Sequence, residues 1–306
     1  MKSRIKIASV VVTYNRLGKL KKTLASYEAQ TRMPDYMIIV DNASTDGTEQ
    51  WLNEWKAKKH AFSIEIIRSE KNLGGSGGFY LGEEKAIKTD ADWIMIADDD
   101  AYPDVDYIKG MYEYICQNDS DGISVLCGAV EENNTFYNHH RSQFKKFKYQ
   151  LNFLNNIPKE YYLKSVFYPD HASYVGILIN VKKLLQAGLV DRDFFIWWDD
   201  TEHSIRLKKI GKIVCLPKYV IHHDVSEENK KISWKSYYGA RNKLVCHKKH
   251  MKITYPFIVV WFLIKTFLSP LKGRSIAEVK LRLTAIKDAV LGNMGVNDVY
   301  KPGWKP

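Results

Sequence analysis

The sequence predicts an α/β fold with a mostly parallel central sheet flanked by helices. Apolar runs rich in Val and Ile alternate with helix-length segments through the first hundred residues, which is the pattern of consecutive βαβ units. Polar clusters follow three of these runs directly, as expected where the strands of an open α/β sheet meet a ligand. With 306 residues and 45% hydrophobic content, the chain is long enough to bury a complete core.

The first half of the chain is predicted to hold four strands and three helices. The strands are expected at residues 5–12, 37–40, 64–68 and 93–97, and the helices at 17–29, 48–58 and 78–88. Residues 131–168 show weak periodicity, and we interpret them as irregular connections around a hairpin. Further strands are expected at 173–180, 212–216 and 219–222, with helices at 182–187 and 202–209.

Three consecutive carboxylates, Asp98, Asp99 and Asp100, stand at the end of the fourth predicted strand. Surface turns often collect acids, but the apolar run 93–97 places these three at the exit of a buried strand. Adjacent carboxylates repel each other and lose hydration, so they favour a counter-charge, most simply a divalent cation. Mg²⁺ or Mn²⁺ would take one or two of them as ligands and complete its shell with water and the phosphate oxygens of a nucleotide diphosphate.

Two further polar segments follow the first two predicted strands. Thr13, Asn15 and Arg16 follow the first, and residues 41–47, Asp-Asn-Ala-Ser-Thr-Asp-Gly, follow the second. The second segment predicts either a turn with a helix cap or a binding loop in which Asp41 accepts hydrogen bonds from a base or ribose. Because the carboxyl ends of parallel strands share one edge, the three polar clusters are expected to converge.

Residues 72–78, Asn-Leu-Gly-Gly-Ser-Gly-Gly, place four glycines before a predicted helix. The segment lacks both the glycine register of a dinucleotide fingerprint and the Lys-Ser/Thr ending of a phosphate loop. Two interpretations remain open. Asn72, Gly74 and Gly75 could let a ligand approach the backbone closely, or the glycines could form a flexible turn.

Residues 194–203, Phe-Phe-Ile-Trp-Trp-Asp-Asp-Thr-Glu-His, place aromatic side chains directly before acids. The face of Trp198 could stack on a sugar ring, and a carboxylate partly desolvated beside aromatic walls becomes more basic. Asp199 and Asp200 are therefore candidates for a general base. The alternative is that the aromatics belong to the core and the acids cap a helix, which suits Asp199 or Glu202 best.

Two adjacent histidines, His222 and His223, end the last predicted strand. A histidine is usually structural, but one at a strand exit in a chain with an acidic metal site is a candidate further ligand. The four cysteines show no metal-type spacing and are interpreted as reduced thiols. The N-terminal apolar run is too short for a signal peptide and reads as a strand, so a cytoplasmic location is expected.

The net charge of +11 belongs to the C-terminal quarter. Residues 227–306 contain 16 Lys and Arg against 5 Asp and Glu, which accounts for the whole excess. We expect two parts, a catalytic α/β domain at 1–230 and a helical, basic and apolar segment at 231–306. The uncharged run 253–264 is too short to cross a membrane. It predicts either an interfacial element on an anionic membrane surface or a buried helix or homo-oligomer contact.

Several motifs together resemble a known family. Residues 9–16, residues 40–48 and the acidic triplet resemble the inverting glycosyltransferases of family 2, which have the GT-A fold, and the likeness covers roughly residues 5–245. Residues 72–79, 198–200 and 237–242 are similar to the galactofuranosyltransferase branch, which uses UDP-galactofuranose, with rhamnosyltransferases as near relatives. The large polymerising members carry additional domains, so the resemblance implies a single-addition enzyme here.

The resemblance also implies roles for individual residues. Asp41 would contact uracil or ribose, Asp98 and Asp100 would hold Mn²⁺ or Mg²⁺, and Asp200, beside Asp199, would be the base. A further metal ligand is expected in a His-x-Asp context, which matches His222 better than His223. The residues expected to bind the UDP-sugar donor are Thr13, Asn15, Arg16, Asp41, Asn72, Gly74, Gly75, Asp98, Asp99 and Trp198. The acceptor would be a lipid-linked oligosaccharide of O-antigen or another surface polysaccharide, glycosylated at the inner face of the cell membrane.

Three other classes of protein fit the sequence less well. A nucleic-acid-binding protein is disfavoured because the basic excess is confined to the tail and no recognised binding module is present, so no nucleic-acid partner is expected. A dehydrogenase would need a dinucleotide fingerprint after the first strand, where residues 13–16 read Thr-Tyr-Asn-Arg. A metal-free scaffold relative is disfavoured because the acidic triplet and the Trp-Asp-Asp motif are intact.

Overall fold

A mixed β-sheet runs through the centre of the computed structural model, which describes residues 4–133, 135–145, 153–225 and 232–306. The strands are β1 (Ile7–Thr13), β2 (Tyr36–Asp41), β3 (Ser63–Arg68), β4 (Trp93–Asp98), β5 (Ala101–Pro103), β6 (Ile123–Glu132), β7 (Thr135–Phe136), β8 (Arg141–Phe144), β9 (Leu154–Asn156), β10 (His171–Ala172), β11 (Ile177–Asn180) and β12 (Lys212–His223). The helices are α1 (Leu17–Glu28), α2 (Thr48–Lys56), α3 (Gly74–Ala86), α4 (Tyr107–Gln117), α5 (Val181–Ala187), α6 (Asp199–Ile210), α7 (Trp234–His250), α8 (Tyr255–Phe267) and α9 (Ile276–Leu291).

The central sheet has the strand order β3-β2-β1-β4-β11-β6-β12-β5, and β7 pairs with β6. The first four strands in this order are parallel, as the alternating pattern predicts. Beyond β4 the sheet is mixed, because β11 runs antiparallel to both of its neighbours and β12 runs parallel to β6. A second antiparallel sheet, β10-β8-β9, occupies part of the segment predicted to be irregular.

Both faces of the central sheet are buried, which explains why its strands are almost continuously apolar. Alternate residues of β1 point to opposite sides: Ile7 and Val11 join the core under α1, α2 and α4, whereas Val10 joins the core under α3, α5 and α6. All three side chains are fully buried. The predicted α/β class with helices flanking the sheet is confirmed.

The glycine-rich segment forms the first turns of a helix and is not a loop. Helix α3 begins at Gly74, four residues before the predicted start. A side chain at Gly78 would bring its Cβ within 2.4 Å of Val12, and one at Gly82 within 2.2 Å of Val10. These glycines therefore let α3 pack closely on β1, a packing role that the sequence analysis did not consider.

Several predicted boundaries shift in the structure. The predicted strand 173–180 is reduced to β11, and the two strands predicted at 212–216 and 219–222 form the single strand β12, with an irregularity between Leu216 and Val220. The helix predicted at 202–209 begins at Asp199, so the acids of the Trp-Asp-Asp motif form its first turn. All four cysteines are free thiols, as expected.

Helices α7, α8 and α9 pack on one another around Leu244, Phe262 and Ile286, and this cluster also contains Phe194. The predicted division at residue 230 falls within 226–231, which lie outside the described residues. In the described part of the chain, every helix is too short or too polar to span a membrane.

Candidate active site

The polar ends of three parallel strands converge, as the sequence predicts. Thr13 lies opposite Asp41, and Asp98 lies opposite Val12 in the register of the sheet. A cavity of about 790 Å³ opens beside these strand ends. Its walls include Thr13, Arg16, Asn72, Gly74, Gly75, Asp98, Asp100, Trp198, Asp199, Asp200 and His223. One cavity therefore joins the acidic triplet, the glycine segment and the aromatic-acid segment, and its volume suits a nucleotide-sized ligand.

Cationic side chains neutralise part of the acidic triplet. Arg16 places one guanidinium nitrogen 2.9 Å from Asp99 Oδ1 and another 2.6 Å from Asp100 Oδ2, and Lys19 Nζ lies 3.1 Å from Asp100. Thr13 donates a 2.7 Å hydrogen bond to Asp99. Burial nevertheless raises the pKa of Asp99 to about 7. Asp99 is thus an internal support of the triplet, while Asp98 and Asp100 face the cavity.

Asp98, Asp100 and His223 form a cluster that could hold a metal ion, because their ligand atoms all lie within 4.8 Å of one another. His223 Nε2 is 3.4 Å from Asp100 Oδ1. Burial alone would raise the pKa of Asp100, but the His223 hydrogen bond and the Arg16 charge hold it below its usual value. Two carboxylates and one imidazole form a donor set that suits Mn²⁺, so the residues present fit a divalent cation.

His222 lies outside this cluster, which differs from the sequence prediction. Its Nε2 is 2.8 Å from Asp104 Oδ1, and its ring stacks on Tyr102. Successive side chains of a strand point to opposite faces, so only one of the two adjacent histidines can face the acids. The fold selects His223 for that position.

The predicted donor-binding residues Asn15 and Asp41 do not line this cavity and instead make contacts with the loop that follows β2. Asp41 accepts hydrogen bonds from Arg68 and, at 2.9 Å, from the backbone of Ser44. Asn15 accepts a 2.7 Å hydrogen bond from the backbone of Thr45. Asn42, which the sequence analysis did not single out, lines the cavity instead and donates to the carbonyl of Gly74 at 2.8 Å.

The aromatic segment forms a loop in an uncommon backbone conformation. Phe195, Trp197 and Trp198 have φ values of 69°, 63° and 71°, a region that non-glycine residues rarely adopt. Such conformations cost energy and persist only where neighbouring contacts impose them. We call residues 194–198 the aromatic loop. Because it leads directly into Asp199 and Asp200, its conformation fixes where those acids lie.

Helix α7 supplies the contacts that hold the aromatic loop. The buried amide of Asn242 lies 2.9 Å from each of the carbonyl oxygens of Phe194, Ile196 and Trp197. Arg241, also buried, donates to the carbonyl of Phe194 at 3.2 Å. Residues 237–242 resemble a family motif, but their sequence alone did not predict this structural role. The sequence feature that could have indicated this role is the pair Arg241-Asn242, which follows Tyr237 and Tyr238.

The glycine segment touches the aromatic loop. Gly74 has φ 72°, and a Cβ at this position would lie 2.0 Å from the carbonyl oxygen of Phe195. The backbone N–H of Ser76 donates to the same oxygen at 3.2 Å. Gly74 is therefore required by the approach of the loop as well as by its own backbone conformation.

The two acids of the Trp-Asp-Asp motif differ in environment. Asp199 is buried, and burial together with the charge of Asp200 raises the pKa of Asp199 to about 7. Asp200 is more exposed, lines the cavity and accepts a 2.6 Å hydrogen bond from the backbone of Thr201. Both acids line the cavity, and Asp200 is the more accessible of the two.

Residues 9–174 match the family model described as glycosyl transferase family 2. A 96-residue stretch is 40% identical to galactofuranosyltransferase GlfT1 of Mycobacterium tuberculosis, covering 31% of this chain and 31% of that protein. A 165-residue stretch is 32% identical to abequosyltransferase RfbV of Salmonella typhimurium, covering 51% of this chain and 46% of that protein. The matched stretches span less than half of either relative.

The fold is also found among solved structures. The structure of GalNAc-T7 with UDP, GalNAc and Mn²⁺ is similar, with a TM-score of 0.67 at 15% identity, covering 96% of this chain and 57% of that chain. At this identity the likeness concerns the fold alone. It confirms the predicted GT-A architecture.

Proposed function

The chain belongs to glycosyl transferase family 2, and we propose that it transfers galactofuranose from UDP-galactofuranose to a hydroxyl of a lipid-linked glycan. The observation that carries glycosyl transfer is that one cavity is lined by the Asp98, Asp100 and His223 cluster and by Asp200 beside Trp198. The 40% identity to a galactofuranosyltransferase over 31% of the chain supports the choice of donor.

The acidic side of the cavity would bind the diphosphate of the donor. Asp98, Asp100 and His223 would hold Mn²⁺ or Mg²⁺, which when bound neutralises negative charge on the departing diphosphate. Arg16, which now pairs with Asp99 and Asp100, lies within the same wall and can donate to phosphate oxygens. Thr13 holds the carboxylate of Asp99 in place behind them.

The opposite side would bind the acceptor. Asp200 takes the proton of the acceptor hydroxyl while that oxygen attacks the anomeric carbon. The bond from the anomeric carbon to the diphosphate oxygen breaks as the new glycosidic bond forms, so a single displacement inverts the configuration. Trp198 offers an aromatic face to the sugar ring beside Asp200.

A donor panel tests this proposal. Purified protein with Mn²⁺ and lipid-linked sugar acceptors is offered UDP-galactofuranose, UDP-galactopyranose or dTDP-rhamnose, and nucleotide release and glycan product are measured. Product from the furanose donor alone is expected. Product from another donor would refute the assignment of the sugar and leave the family membership unchanged.

Replacing the base tests the assignment of Asp200. The Asp200→Asn variant is expected to lose turnover by roughly 10²–10⁴-fold, the usual contribution of general-base catalysis. UDP binding should be retained, because Asp200 is not one of the residues that would hold the metal ion on the diphosphate. Asp121→Asn, an exposed acid in a remote loop, is the matched control. Turnover of Asp200→Asn at the control level would exclude Asp200 as the base.

A different donor is the second candidate, favoured by the match to RfbV. That match covers a larger share of this chain than the match to GlfT1, although its identity is lower. An abequosyl or rhamnosyl donor would use the same acidic cluster and the same base. The donor panel separates the two candidates once the corresponding nucleotide sugar is added.

We further propose that helix α8 rests on an anionic membrane surface, which would bring the cavity to a lipid-linked acceptor. One side of α8 packs inward through Ile258 and Phe262, and the other presents Phe257 and Trp261, which are 73% and 50% exposed. The outward apolar residues continue with Val260, Ile264, Phe267, Leu268 and Leu271. Lys252, Lys265, Lys272 and Arg274 flank this stripe, so charge complementarity favours anionic lipid over a second protein copy.

Vesicle sedimentation tests the membrane proposal. Binding is expected to phosphatidylglycerol vesicles and to be much weaker with phosphatidylcholine alone, because each basic side chain near the surface adds roughly 1 kcal/mol on anionic lipid. Trp261→Glu should reduce sedimentation, whereas Leu163→Glu, which changes an equally apolar and 90% exposed residue elsewhere, should not. A concentration-dependent dimer that Trp261→Glu dissociates, without vesicle binding, would overturn the proposal.

A further inference from the structure

A second group of potential metal ligands lies beside the first, on the other side of His223 from the acidic triplet. Glu132 is the last residue of β6, and His139 and His140 belong to the turn before β8. Ligand atoms of all three residues lie within 4.8 Å of one another, and all three line the cavity. These residues fall in a segment with weak periodicity, so their sequence pattern did not predict a site.

The spacing of these atoms suits one small cation. Glu132 Oε1 lies 3.4 Å from His139 Nε2 and 2.7 Å from His140 Nε2. Ligands held at about 2.0–2.1 Å by a tetrahedral ion are roughly 3.3–3.4 Å from each other. The distance from Glu132 to His139 already matches this spacing, and the distance from Glu132 to His140 would have to lengthen by less than about 1 Å. His223 Nδ1 lies 3.6 Å from the same Glu132 oxygen, at the edge of the group.

Two further contacts prepare the site. Ser173 Oγ lies 2.8 Å from His140 Nδ1, a hydrogen bond of the kind that fixes the orientation of a ligating imidazole. His223 Nδ1 is buried and has no hydrogen-bond partner among the residues described. A buried polar atom without a partner is costly, and it faces the carboxylate of Glu132 at a distance too long for a hydrogen bond.

We propose that Glu132, His139 and His140 bind a second divalent cation, with His223 standing between the two metal sites. The set holds two imidazoles and one carboxylate, whereas the first site holds two carboxylates and one imidazole. Imidazole-rich sites prefer Zn²⁺ over Mn²⁺, so the second site takes Zn²⁺. This inference does not depend on the donor sugar, because it rests on side chains that bind metal in the absence of substrate.

Metal content tests the proposal directly. The protein is stripped with a chelator, equilibrated with Zn²⁺, passed through a desalting column and analysed for bound metal. Two equivalents are expected in the wild type and one in His139→Ala, whose replaced side chain is 44% exposed and should not affect folding. His222→Ala, the neighbouring histidine on the other face of β12, should keep two equivalents.

Disabling the first site isolates the second. The Asp98→Asn/Asp100→Asn variant should retain one equivalent, and Co²⁺ bound to it should give the intense visible absorption of four-coordinate cobalt. Adding His139→Ala should abolish that absorption. One equivalent in the wild type that His139→Ala leaves unchanged would overturn the proposal. In that case Glu132 only orients His223, and His140 only anchors Glu132.

Discussion

Asn242 allows a demanding test of how the aromatic loop is held. Its side chain is fully buried in α7 and approaches three carbonyl oxygens of the loop. In Asn242→Ala, the carbonyl of Phe194 keeps the hydrogen bond from Arg241. Those of Ile196 and Trp197 lose the only donor that the described residues offer them. A buried carbonyl without a donor costs about 1–3 kcal/mol.

The expected loss of unfolding free energy is about 2 kcal/mol, the low end for two carbonyls. Ile196 is only partly buried and Trp197 is exposed, so water can reach their carbonyl groups. The loop then relaxes from its positive-φ conformation, and the acids that follow it move. We expect turnover to fall at least about tenfold, since small misplacements of reacting groups are costly. UDP affinity should change little, because the strand ends that would bind the nucleotide are untouched.

Urea denaturation, steady-state kinetics and UDP titration measure these three effects. Asn297→Ala is the matched control, because Asn297 donates to Tyr237 and Asp288 and accepts from the backbone of Tyr300, all in the C-terminal part of the chain. It should lose comparable stability and keep its turnover below the unfolding transition. Equal turnover in the two variants, or wild-type stability of Asn242→Ala, would refute the reasoning.

Two further predictions concern the metal site and the pH dependence of stability. His223→Ala should weaken Mn²⁺ binding in the presence of UDP by roughly 100-fold, about 2.7 kcal/mol, whereas His222→Ala should leave it unchanged. A Mn²⁺ titration followed by electron paramagnetic resonance measures the affinity of both variants. Weaker binding in His222→Ala and unchanged binding in His223→Ala would support His222 as the ligand, as the sequence predicted. Burial alone would raise the pKa of Glu202, but the His250 hydrogen bond and the charges of Arg206 and Lys249 lower it from 4.5 to about 2. Because the folded pKa is the lower one, this stabilisation is fully present above pH 4.5 and is lost as the pH falls towards 2, so Glu202→Gln should cost up to roughly 3 kcal/mol at pH 7 and progressively less in acid. A stability difference that is constant from pH 7 to pH 3 would contradict this assignment.

The local pattern of apolar and polar residues was sufficient to predict the parallel half of the sheet and most of the residues that line the cavity. The strands that end at Thr13, Asp41 and Asp98 could be predicted because apolar runs and the polar residues after them lie next to each other in the chain. Parallel pairing then brings their carboxyl ends together whatever the details of packing. The same reasoning placed Asp199 and Asp200 beside aromatic side chains.

Features that depend on contacts between distant segments could not be predicted in this way. The glycines of α3 allow this helix to pack closely against β1. The sequence shows only that the segment is rich in glycine, which a flexible turn would also explain. The aromatic loop is held by Arg241 and Asn242, more than forty residues later in the chain. Its positive-φ residues are stable only because those side chains satisfy its carbonyls.

The two adjacent histidines show most clearly what the sequence by itself determined and what it left open. The sequence predicted a histidine at a strand exit as a candidate ligand beside the acidic triplet, since an apolar run precedes the two histidines. It did not determine which one, because side-chain direction depends on the register of β12 against β6, and that register shifts between Leu216 and Val220. This shift interrupts the regular alternation of side chains between the two faces of the strand, so the face of each histidine cannot be counted from the sequence. Only the tertiary structure shows that His223 points towards Asp100 and His222 towards Asp104.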